Sequence, residues 1–115
     1  MLTPSLAGFD GLYHHFTHSY AEIFALLANR SLLDGFELLY WHNDKKEECD
    51  YILKKGQALV AIEVKSGSAD NAEGFEKFKE LYSERITMAF IVGPEGLPLE
   101  DFFNLDLKTL FRKKR

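Results

Sequence analysis

The stretch CDYILKKGQALVAIEVKSG, Cys49 to Gly67, constrains this chain more than any other. Two runs of apolar and β-branched residues flank a Lys-Lys-Gly breaker, the mark of a β-hairpin. Lys55-Gly56 read as a two-residue turn sets Lys54 opposite Gln57 and Asp50 opposite Ala61. Alternate residues of a strand share a face. Cys49, Tyr51 and Leu53 then join Val60, Ile62 and Val64 on a wholly apolar side, the expected core. Asp50, Glu63 and Lys65 fall together on the other side, with Asp50 diagonal to Glu63. A turn one residue longer would separate them.

Two carboxylates side by side repel each other, so their company needs a reason, and the spacing admits two. Acid-lysine alternation is common on a solvated strand face. Alternatively, Asp50 and Glu63 share a divalent cation, and oxygen ligands suit Mg2+ or Mn2+. Such an ion lowers the pKa of bound water and polarises a phosphoryl oxygen. Lys65 would then orient the water or stabilise developing negative charge. The chemistry of that second reading is phosphodiester hydrolysis.

The rest of the chain supplies a scaffold. Residues 1–12, with Pro4, Gly8 and Gly11, form an entry segment. From His14 to Arg30 there is neither Gly nor Pro. Phe16, Tyr20, Ile23, Phe24 and Leu27 recur at helical steps, and Asp34-Gly35 marks the turn that follows. FELLYW (36–41) reads as a strand. A helix capped by Asp70 or Asn71 runs to about Tyr82, with Phe75, Phe78 and Leu81 as its stripe. ITMAFIVG (86–93) is a strand apolar on both faces, expected to be buried on both. One or two short helices follow. A strand, a helix and another strand predict a right-handed parallel crossover, so the sheet should be mixed. At 115 residues, a single domain over 1–115 is expected.

The ordered set Tyr40-Trp41, Glu48-Cys49-Asp50 and Ile62-Glu63-Val64-Lys65-Ser66-Gly67 resembles the PD-(D/E)xK nuclease-like domain found at the C-terminus of many bacterial and archaeal P-loop ATPases. ITMAFIVGPEGLPLEDFF is similar to that family's closing strand and helix, and the resemblance covers residues 14–104. It implies an α/β, restriction-endonuclease-like fold: a three-layer sandwich with a central mixed sheet flanked by helices. In that superfamily the Asp and Glu hold the metal and the Lys assists the water, which implies these roles for Asp50, Glu63 and Lys65. The Val64 carbonyl would be an extra ligand. Ser66 and Ser68, in the loop after Lys65, are readable as phosphate contacts or as ordinary loop serines. A helical Glu often completes such sites. Glu22, within YAEIFALL, resembles that position, and is equally readable as part of a solvated helix face. The implied activity is that of a Mg-dependent endonuclease acting on DNA, or of a nucleic-acid-binding module derived from one, with a homodimer where both strands are cut. The alternative is a catalytically inactive interaction or dimerisation module, with a P-loop ATPase as its partner. This sequence holds no G-x-x-x-x-G-K-[ST] of its own.

Other features exclude more than they assign. Net charge is −4, which is not the bulk charge of a dedicated nucleic-acid binder. The tail Arg112 to Arg115 is a local basic end, readable as a phosphate grip or as a solvated terminus. Cys49 is the one cysteine, so no internal disulfide forms and a reducing compartment is expected. Its place among apolar residues reads as core. His14 and His18 have i, i+4 spacing but no evident third ligand, and read as ordinary surface histidines. No apolar run approaches the ~20 residues of a membrane span. A cytoplasmic protein is expected.

Overall fold

The computed structural model describes residues 2–4, 18–65 and 73–112. Strand β1 (Leu2–Pro4) lies within the segment read from sequence as a mere entry. Helix α1 (His18–Asp34) runs four residues past the expected Arg30. It stops at Gly35, whose φ of +77° suits a residue without a Cβ and whose N–H closes on the Ser31 carbonyl. Strands β2 (Glu37–His42), β3 (Glu48–Lys55) and β4 (Ala58–Val64) follow. Helix α2 (Glu73–Leu81) leads to β5 (Ile86–Val92), then to α3 (Leu99–Phe103) and a 3₁₀ helix (Leu107–Phe111).

The strands form one five-stranded sheet in chain order. The first three pairings are antiparallel and β4–β5 is parallel, so the sheet is mixed as expected. Helices cover both faces. On one, Ile23 and Leu27 of α1, Phe102 of α3 and Leu107 and Leu110 of the 3₁₀ helix pack with Tyr51, Leu53, Val60 and Ile62. On the other, Phe75 and Phe78 of α2 pack with Leu39, Trp41, Cys49, Ile52, Leu59 and Ala61. No helix among the described residues is long and apolar enough to cross a membrane.

Several expectations are corrected. The hairpin turn is Gly56-Gln57, not Lys55-Gly56, because Lys55 pairs with Ala58 and Lys54 with Leu59. Gly56, with φ +61°, takes the first central position, where a two-residue loop can require a positive φ. The register therefore moves by two residues, which preserves which side chains share a face. Cys49 does change sides. Between the pairs Leu39–Ile52 and Trp41–Cys49, β3 has two residues, Asp50 and Tyr51, where β2 has only Tyr40. This β-bulge turns Cys49 into the α2-side core, away from Tyr51 and Leu53. Strand β5 is not fully buried, because it stands at the sheet edge, and only Val92 is closed off from solvent. Leu81 is 56% exposed. Tyr82 takes its place in the stripe, its ring tilted against that of Phe78 with centroids 4.6 Å apart. The expected helix cap at Asp70 or Asn71, with His14, His15, Phe16 and the tail after Arg112, lies outside the described residues.

Candidate functional site

At the end of the hairpin remote from its turn, β3 and β4 exchange main-chain pairing for side-chain pairing. The ladder is regular from Lys55–Ala58 to Tyr51–Ile62. One step further Asp50 faces Glu63. The Asp50 N–H donates to Glu63 Oε1 at 3.1 Å, and the Val64 N–H donates to Asp50 Oδ2 at 3.0 Å. The two acids thus meet directly, not diagonally. The bulge at Asp50-Tyr51 is what frees the Asp50 backbone from regular pairing.

Glu63 is 5% exposed, the one buried charged residue among those described. Burial raises its pKa most, the Asp50 charge raises it further, and it reaches about 8. Burial also raises Asp50, against the opposing pull of the Val64 N–H. Burial, together with the crowding of one carboxyl by the other, thus disfavours charge on the pair. Lys65 Nζ stands 3.5 Å from Glu63 Oε2. That is ion-pair geometry, but burial outweighs the lysine and keeps Glu63 protonated near neutral pH. Lys65 itself is fixed by its own N–H on the Val92 carbonyl at 2.9 Å.

The structure therefore brings together Asp50, Glu63 and Lys65. Glu22 is exposed on α1. Among the described residues no group of three or more His, Cys, Asp or Glu side chains is placed to hold a metal ion. Ser66 and Ser68 lie outside the described residues. The Cys49 thiol is buried, and burial followed by the charges of Glu63 and Asp50 pushes its pKa well up, which suits a core residue and not a nucleophile. His42 stacks on Tyr40 with ring centroids 5.2 Å apart.

Sequence reading passed over one contributor. Glu48 accepts a 2.7 Å hydrogen bond from the Tyr40 hydroxyl, and its charge adds to the rise at Asp50. Two glycines set the backbone around this site. A Cβ at Gly74 would collide with the Glu48 carbonyl, and one at Gly93 with the Lys65 carbonyl. Helix α2 and the end of β5 thereby lie directly against the residues that carry the site.

Asp50 and Glu63 form a donor set of carboxyl oxygens, the ligand type a hard divalent cation takes. It consists of two carboxyls crowded until one keeps a proton, each using one oxygen on a backbone N–H. A chain that buried this pair for packing alone would gain more from apolar side chains.

No curated protein matches the sequence. No solved structure matches it either. Residues 19–107, spanning α1 to the start of the 3₁₀ helix, match the family described as Domain of unknown function (DUF4143), and the chain belongs to that family.

Proposed function

We propose that this protein is a metal-dependent nuclease of the PD-(D/E)xK, restriction-endonuclease-like kind, hydrolysing phosphodiester bonds in DNA. The observation that carries this is the crowding of Asp50 and Glu63 with Lys65 at 3.5 Å. Asp50 and Glu63 would hold Mg2+ or Mn2+. When bound, such a cation lowers the pKa of water and polarises the scissile phosphoryl oxygen. Lys65 supplies a fixed positive charge beside Glu63, suited to orienting water or stabilising charge on the phosphate. The carboxyl end of the parallel pair β4–β5, where these residues sit, is where open α/β sheets place ligands. DNA is the partner of this reading, with a second copy of the chain where both strands are cut.

A second reading is favoured by a specific observation. Asp50 and Glu63 each accept a backbone hydrogen bond that substitutes for the sheet ladder. The pair is then a structural clasp in a catalytically inactive interaction or dimerisation module, with a P-loop ATPase as partner. One experiment separates the two. Titration calorimetry with Mn2+, and cleavage of plasmid DNA in Mg2+ or Mn2+, are run on the wild type, Glu63→Gln and Lys65→Ala. The nuclease reading expects Mn2+ binding lost in Glu63→Gln and cleavage lost in both variants while their Tm persists. A folded wild type that binds no Mn2+ at millimolar concentration leaves only the clasp.

A further inference from the structure

At the opposite end of the sheet, the hairpin turn gathers cations on a chain whose net charge is −4. Lys54 and Lys55 lead into the Gly56-Gln57 turn. Arg85 is bound through Nε to the Gln57 carbonyl at 3.0 Å. Lys55 Nζ reaches the Asp34 carbonyl at 3.2 Å and lies 6.0 Å over the Phe111 ring, which places Arg112 in the same neighbourhood. The acids at this end are partly engaged. Asp34 is held by Arg30 at 2.9 Å, and Glu37 is 4.0 Å from Lys54. The same end carries two of the three large apolar side chains left exposed among the described residues. Leu32 is 85% exposed and Leu33 73%, both on the last turn of α1, immediately before Asp34.

Cations alone would suit any polyanion. The leucines decide between occupants, because a phosphate backbone offers them nothing apolar. Exposed apolar side chains rimmed by positive charge match a protein surface bearing the complementary combination. We infer that the hairpin-turn end, formed by Leu32, Leu33, Lys54, Lys55, Arg85 and Arg112, docks an acidic protein segment that also presents apolar side chains. This surface lies across the sheet from Asp50 and Glu63 and does not depend on their chemistry.

The test is fluorescence anisotropy with a labelled helical peptide of Glu and Leu, the leucines at helical spacing. A labelled DNA duplex and a poly-glutamate peptide serve as comparison probes. The Glu-Leu peptide should bind more tightly than either. Leu32→Asn with Leu33→Asn should weaken it about tenfold, the loss typical of an interface anchor pair. Lys55→Gln with Arg112→Gln should weaken it and flatten its salt dependence. Glu63→Gln should leave it unchanged, so this result stands apart from that of the cleavage assay. The leucines are solvent-exposed, so their variant should keep the wild-type Tm. Three outcomes overturn the inference: a leucine variant that binds as well as wild type, a duplex that binds more tightly than the peptide, or sedimentation showing a dimer that the leucine variant dissolves.

Discussion

The carboxyl of Glu63 sits where the surrounding protein disfavours its charge. Burial does most of this, and Asp50 beside it adds to the effect, lifting the pKa from 4.5 to about 8. Between those two values the native state keeps a proton that the unfolded chain has released. Stability from this group is therefore full below about pH 4.5 and is lost as pH rises towards 8. The slope for one group cannot exceed about 1.4 kcal/mol per pH unit. Urea denaturation across this window should show the wild type weakening as pH rises. Glu63→Gln, which cannot ionise, should show a flatter profile. Equal slopes in the two proteins would place the titration elsewhere. Asp50 answers to a different test. Its Oδ2 satisfies the Val64 N–H, so Asp50→Ala leaves that donor without its acceptor and should cost about 1–3 kcal/mol. Asp50→Asn keeps an acceptor oxygen and should cost less, as measured by urea midpoints at pH 7.

At the scale of elements, what could be read from the chain was parity, and what could not was contact. The alternation in ALVAIEV placed Glu63 opposite in face to Val60 and Ile62, and the structure agrees. The two-residue error in register arose because Lys54-Lys55-Gly56-Gln57 offers two successive turns of the same length, and both keep the parity. The bulge that moves Cys49 is set by its pairing with β2, on the far side of the charged loop, and leaves no local mark. The composition of β5 is that of a strand buried on both faces, which hid how much of it solvent reaches. The role of Gly74 was hidden too, since a glycine inside a helical pattern reads only as a weak spot. Its lack of a Cβ is what lets α2 lie on the Glu48 backbone. Gly74→Ala should therefore destabilise by about 1–3 kcal/mol, the cost of overpacking, although alanine is the better helix former. A variant as stable as wild type by guanidinium denaturation would mean that α2 can lift from β3 freely.

The whole molecule is two apolar cores divided by one sheet, and this division can be tested. Ile23 of α1 belongs to one core and Ile52 of β3 to the other, both fully buried. Each Ile→Val change removes one methyl group and should cost about 0.5–1.5 kcal/mol. The side chains lie in different clusters on opposite faces, so the double variant should lose the sum of the two within about 0.5 kcal/mol. Ile23 and Ile62 share a core, and relaxation around one deletion changes the space around the other. That pair should depart from additivity. Both cores nevertheless rest on β3 and β4, and neither helix layer has another surface to cover. Losing either core exposes strands the other requires, so unfolding should remain one cooperative transition with an unchanged denaturant slope in every single and double variant. Separate transitions, with Trp41 fluorescence reporting the α2 side before far-ultraviolet dichroism falls, would show that one helix layer can leave while the sheet survives.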